Sequence, residues 1–147
     1  MLAEARSKFP EVGLEKVGLQ ELRTEGAFDA AICVDAMENV FPEDWPRVLA
    51  NLRRGVSGGL IYLTVEQVAD SAIREAFAQA TAAGLPVVQG VTLRGGGHDY
   101  YPTVEQVTGW LRATGLDVVE EGQSSGSNYG CWHLLVRSAT ETGRPRG

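Results

Sequence analysis

Phe28-Asp29-Ala30-Ala31-Ile32-Cys33-Val34 and, after a helical run, Gly58-Gly59-Leu60-Ile61-Tyr62-Leu63-Thr64-Val65-Glu66 decide how this chain folds. Each is a near-continuous apolar run, the pattern of a strand buried on both faces. Between them stands Pro42-Glu43-Asp44-Trp45, a helix opening in which proline fits the first turn and the acids complement the helix dipole. Trp45, Val48, Leu49 and Leu52 recur at i, i+3, i+4 and i+7 and form one apolar stripe. Arg53-Arg54-Gly55 closes that helix with cations and a glycine. Strand, helix and strand make a βαβ unit, the building block of a parallel sheet. Ligands of such sheets sit outside the carboxyl ends of the strands. Here those ends, Val34 to Asn39 and Thr64 to Gln67, carry polar residues directly after the apolar runs.

Outward from this unit the pattern stays α/β. Upstream, Leu2, Ala5 and Phe9 share one face of a short helix stopped by Pro10. Val12 to Leu19 reads as a strand with imperfect alternation. Downstream, Ile73, Ala76, Phe77 and Ala80 mark a helix over 69–83 that ends at Gly84-Leu85-Pro86. Val87 to Leu93 is strand-like but weakened by Gly90. Arg94 to Pro102 is a glycine-rich loop ending in aromatics. Thr103 with Gln106 forms a capping-box pattern ahead of a helix whose apolar face is Val104, Val107 and Leu111. Leu116 to Glu121 and Tyr129 to Val136 are strands joined by a Gly/Ser turn, which predicts an antiparallel hairpin. One domain over 1–137 and a polar tail over 138–147 follow.

A chain of 147 residues suits one domain with a real core. Its net charge of −6 argues against sequence-independent nucleic-acid binding, which needs a basic face. No apolar stretch approaches the roughly 18 residues of a membrane span, and no leader pattern is present, so the expected location is the cytoplasm. Cys33 and Cys131 have no metal-ligand spacing and read as buried free thiols.

Several pieces, in order, are similar to the class I S-adenosylmethionine-dependent methyltransferases. Phe28-Asp29-Ala30-Ala31-Ile32 resembles the family's fourth strand. Met37-Glu38-Asn39-Val40 stands where the family often has leucine, glutamate, histidine and valine. Leu49 to Gly59 resembles its leucine-rich helix and the glycine pair before its fifth strand, with Ser57 replacing a usual proline. Tyr101-Pro102-Thr103 through Trp110-Leu111-Arg112-Ala113-Thr114-Gly115-Leu116 resembles the approach to the sixth strand, and His133 to Arg137 the seventh.

The resemblance implies a Rossmann-like α/β sheet of family order 3-2-1-4-5-7-6, with the seventh strand antiparallel. It also implies a chain without the family's first two strands and its Gly-x-Gly-x-Gly loop. Removing them leaves an open central edge on the Phe28 strand, which invites self-association. That edge would be closed by the Val12 strand, by a second chain, or not at all. The implied cofactor is S-adenosyl-L-methionine, bound in the complete protein. Leu19, Gln20 and Glu21 would lie at its adenine edge, and Asp35, Ala36 and Met37 beneath its methionine part. Glu66, His98, Tyr100 and Tyr101 would face a small-molecule methyl acceptor, with His98 and Tyr101 as the catalytic pair. Because the protein mostly positions the reactants in this chemistry, few residues are obligatory. Against these roles stand plainer ones: a capping role for Asp35, core packing for Met37 and Trp132, and aromatics of the glycine-rich loop packed on the sheet edge. The competing whole-chain reading is a non-catalytic, methyltransferase-like interaction module. Another Rossmann enzyme, such as a nucleotide-dependent oxidoreductase, fits less well.

Overall fold

The structure, a computed structural model, describes residues 1–94, 97–125 and 129–139. In chain order its elements are helix α1 (Leu2–Lys8), strand β1 (Phe28–Cys33), helix α2 (Trp45–Gly55), strand β2 (Val56–Gln67), helix α3 (Asp70–Ala82), strands β3 (Val91–Arg94) and β4 (Gly97–Tyr100), helix α4 (Val104–Ala113), and strands β5 (Leu116–Ser125) and β6 (Gly130–Ser138). Short 3-10 turns occupy Leu19–Glu21, Met37–Asn39 and Pro42–Asp44. The main sheet runs β1-β2-β6-β5. β1 and β2 are parallel, and β6 is antiparallel to both its neighbours. That order matches the 4-5-7-6 portion implied by the family resemblance, and the hairpin of β5 and β6 forms as expected.

One face of this sheet carries the core. Cys33, Ile61, Leu63, Val65, Trp132, Leu134 and Val136 alternate onto that face and are buried. α2 packs there with Trp45, Val48, Leu49 and Leu52, the stripe expected from the sequence. α4 joins it through Val107 and Leu111, and the Trp45 and Trp110 rings stack at 5.1 Å. The capping box is present: Thr103 Oγ1 accepts from the Gln106 amide, and the Gln106 side chain accepts from the Thr103 amide.

The opposite face is open, which corrects the expectation that β1 is covered on both sides. Phe28 is 54% exposed and Ile32 77%. Leu60, on β2 beside Ala30, is also exposed. No helix among the described residues covers that face. α1 has no buried residue, and α3 packs against β3.

Three further expectations change. Val12 to Leu19 forms no strand. Gly13 and Gly18 interrupt it, its alternation is weak, and Val12 and Val17 stay exposed. The outer edge of β1 is therefore not closed by that segment, and among the described residues it pairs with nothing. The strand expected over 87–93 begins only at Val91, because Pro86 and Gly90 (φ +99°) hold 85–90 in turns. The expected glycine-rich loop contains β4, which pairs with β3 in a small antiparallel sheet apart from the main one. Its Gly95 and Gly96 lie outside the described residues, as do 126–128 of the Gly/Ser turn and 140–147 of the tail. Ser138 still belongs to β6, and the Ala139 amide donates to Gly115 O.

The glycine pair opening β2 has a physical cause. Gly58 has φ +72°, a conformation L side chains rarely adopt. At Gly59 a side chain would collide with the backbone carbonyl of Asp29 on β1. Gly59→Ala is therefore expected to lower unfolding free energy by about 1–3 kcal/mol. Gly109, inside α4 with open space at its Cβ position, supplies the control. Gly109→Ala should raise stability by about 0.5–1 kcal/mol. Urea unfolding of the two variants checks both signs.

Candidate functional site

At the carboxyl end of β1 the chain turns at Asp35, the one non-glycine residue with positive φ (+48°) among the described residues. Aspartate tolerates this left-handed conformation better than most residues. Its amide donates to Thr64 Oγ1 at 3.1 Å, which ties the turn to the carboxyl half of β2. Thr64 is buried, so this bond satisfies a hydroxyl that water does not reach. Met37 follows, fully buried, in the 3-10 turn Met37–Asn39 that packs on β2 and β4. Its side chain is part of the core, the plainer of the two roles weighed for it.

Acidic groups gather around this turn. Burial raises the pKa of Glu38, and the charges of Asp35 and Asp99 push it further in the same direction. Asn39 Nδ2 donates to Glu38 Oε1 at 3.1 Å and partly offsets that shift. Glu66 stands opposite Cys131 across β2 and β6. Burial raises the Cys131 thiol, with Asp35 and Glu66 adding to it. Cys33 beneath is pushed up to about 11 by burial and by Glu38. Asp35 and Asp99 thus act on Glu38, and Asp35 and Glu66 on Cys131.

The other expected residues divide. Leu19, Gln20 and Glu21 form a 3-10 turn held against α2, where Asn51 Nδ2 donates to Leu19 O (2.9 Å) and Gln20 O (3.2 Å). This turn packs on α2, whereas the Met37–Asn39 turn packs on β2 and β4. Tyr100 is buried in the core near Trp110. Tyr101 is buried, with its hydroxyl donating to Asp99 Oδ2 at 3.4 Å, and it lines a cavity of about 240 Å³ with Asp70 and Ile73. His98 lines a different cavity, of about 480 Å³, and stacks on Phe41 at 3.8 Å between centroids. Its Nε2 is buried without a hydrogen-bond partner among the described residues. Such a group costs about 1–3 kcal/mol. The pair His98 and Tyr101 therefore does not converge on one cavity.

Sequence reasoning did not single out Glu38, Asp99, Thr64 or Phe41. Glu38 was quoted in the Met37-Glu38-Asn39-Val40 match without a site role, but only the fold brings Asp99 toward it. A second polar group also appears on the open face of the sheet. His133 Nδ1 lies 2.7 Å from Tyr62 Oη, and its Nε2 lies 2.8 Å from Ser124 Oγ. Both ring nitrogens of His133 are thus occupied, in keeping with a structural role.

Two measurements follow from the shifted groups. Cys33 is buried and stays a thiol at neutral pH, whereas Cys131 is only half-buried. A thiolate-selective disulfide reagent at pH 8 should modify Cys131 first and reach Cys33 only on unfolding, as mass spectrometry of the labelled peptides would reveal. Glu38 binds its proton more tightly in the folded chain than in the unfolded one. Its contribution to stability is therefore lost as pH rises from the ordinary carboxylate range through the raised folded value. Glu38→Gln should be more stable than the parent at pH 7, with the difference vanishing at pH 3 to 4 (roughly where both states are protonated). Thermal unfolding against pH reads this out.

No protein-family model matches the chain, and no curated protein matches it by sequence. Solved structures do. A S-adenosylmethionine-dependent methyltransferase from Methanosarcina mazei superposes with TM-score 0.75 at 13% identity, over 95% of this chain and 78% of that one. A 1,6-didemethyltoxoflavin-N1-methyltransferase from Burkholderia thailandensis, solved with bound 1,6-didemethyltoxoflavin and S-adenosylhomocysteine, gives TM-score 0.69 at 15% identity, over 93% of this chain and 56% of that one. The [4+2]-cyclase SpnF gives TM-score 0.64 at 17% identity, over 94% of this chain and 61% of that one. The chain thus spans little more than half of the Burkholderia enzyme. No helix among the described residues is long and apolar enough to cross a membrane. Over most of its length the chain has the α/β fold found in class I S-adenosylmethionine-dependent methyltransferases.

Proposed function

We propose that this chain forms the carboxyl-terminal part of a S-adenosylmethionine-dependent methyltransferase acting on a small molecule. The acids Asp35 and Glu66 near the carboxyl ends of the two parallel strands, with Glu38 and Asp99 acting on one another beside Asp35, support the reading. S-adenosylmethionine is a sulfonium cation, and a carboxylate-lined floor is the complement of that charge. A solved neighbour of the same fold holds S-adenosylhomocysteine, which supports the choice of cofactor. Asp35 and Ala36 form the floor in this reading, with Met37 buried beneath them, and Leu19, Gln20 and Glu21 serve the adenine edge.

When bound, the cofactor supplies an electrophilic methyl group. The residues of this chain orient the acceptor against Glu66 and take up the proton it loses. The His98 imidazole is the group in this reading that accepts that proton. In this reading activity needs further strands beside β1, whose outer edge pairs with no strand among the described residues.

Calorimetric titration with S-adenosylmethionine tests this. Binding is expected to be weak or absent for the chain alone. It should appear when a two-strand segment bearing a Gly-x-Gly-x-Gly loop is fused upstream. In that fusion Asp35→Asn keeps the turn and removes the charge, and should weaken binding about tenfold, or 1.4 kcal/mol. No binding in either form would favour the second reading, a non-catalytic interaction module. The open apolar sheet face with its unpaired edge strand is the observation on that side.

A further inference from the structure

The cavity lined by His98 and Phe41 is separate from the one that holds Tyr101. Its volume, about 480 Å³, lies in the range of small-molecule sites. Leu85, Val88 and Leu93 line it while remaining 42%, 52% and 59% exposed, and Val91 is its buried apolar floor. Three large exposed apolar side chains converging on one concavity mark a surface awaiting an occupant. The stacked Phe41 and His98 rings supply an aromatic wall. Among the described residues that line the cavity, Glu43 carries a charge. An anionic occupant would meet the repulsive charge of Glu43. Within the apolar part stands the His98 imidazole, whose Nε2 has no hydrogen-bond partner among the described residues.

We infer that this cavity binds an uncharged aromatic molecule carrying one hydroxyl or amino group. The rings pack against Phe41 and the aliphatic walls. The polar group hydrogen-bonds His98 Nε2. That nitrogen is shut off from solvent, so the Phe41–His98 stack must open slightly to admit the bond. Resting on the methyltransferase reading, the same molecule is the class of methyl acceptor: its hydroxyl or amine is the nucleophile, and His98 stands ready to receive its proton.

The test uses the full chain with 2-naphthol, naphthalene and 2-naphthoate as probes, followed by NMR and without S-adenosylmethionine. Saturable binding of 2-naphthol is expected, with the His98 and Phe41 ring signals shifting together. Naphthalene and 2-naphthoate should each bind roughly tenfold more weakly. His98→Phe keeps a ring in the stack and should erase the preference for 2-naphthol over naphthalene. Val88→Asp, at an exposed position the fold tolerates, should weaken all three. Absent saturation by 2-naphthol, equal binding of 2-naphthoate, or an unchanged preference in His98→Phe would each overturn the inference. The titration contains no cofactor, so its failure is distinct from failure of the methyltransferase reading. Saturable 2-naphthol binding combined with no cofactor binding in the fused chain would leave the site standing and remove its role as acceptor pocket.

Discussion

Close approach of β1 and β2 is the constraint on which the rest depends. The two backbones come so near at Asp29 and Gly59 that no side chain fits between them. Gly58, in a left-handed conformation, turns the chain into that contact. With the two strands in parallel register, Cys33 faces Leu63 and the next residues emerge side by side. Only then does Thr64 reach the Asp35 amide. The bond holds Asp35 in its positive-φ turn, and the turn delivers Glu38 to the field of Asp99. A defect at the amino end of β2 would thus be felt at the opposite end of the sheet, in the acidic cluster.

The sheet is buried on one face and open on the other, and its open face is arranged to tolerate covering. Ala30, Ile32, Leu60, Tyr62 and Leu135 form neighbouring positions there by register. The polar groups among them satisfy one another: Tyr62 and Ser124 both bond His133. A cover laid over these side chains would meet few unmatched donors or acceptors, which removes the usual penalty for burying a polar face. The edge of β1 differs. Its outward backbone groups have no partner among the described residues, and its sequence carries neither lysine nor proline to discourage pairing.

Local signals made much of this legible beforehand. The Trp45, Val48, Leu49, Leu52 stripe, the Thr103–Gln106 box and the hairpin of β5 and β6 each rest on contacts a few residues apart or on turn chemistry, and each formed where the sequence placed it. Burial on both faces of β1 was misread because an apolar run shows what a strand can bury, not what is present to bury it. Val12 to Leu19 failed as a strand for a related reason: pairing is non-local, and alternation broken by glycine gave it no register. The small sheet of β3 and β4 was hidden behind Gly90 and the glycine run, which local rules read as loop. Around the site, Asp35 and Met37 were reachable through spacing from an apolar strand. Asp99 and Phe41 were not, since they approach Glu38 and His98 only after β4 folds back over the Met37–Asn39 turn.

Electrostatics links the site to the rest of the molecule. Glu38 is held partly out of water beside two other acids, so the folded chain works against its charge. Any cation that settles there lowers that repulsion and so favours the arrangement of Asp35, Glu38 and Asp99 that receives it. That arrangement hangs on β1, the strand with a free edge. A strand that pairs with β1 would restrain the Asp35 turn, and a cation at the turn would in the same measure favour the pairing, because coupling between two binding events is reciprocal. Charge at the strand ends and completion of the sheet are then two expressions of one equilibrium, joined through the single hydrogen bond from Asp35 to Thr64.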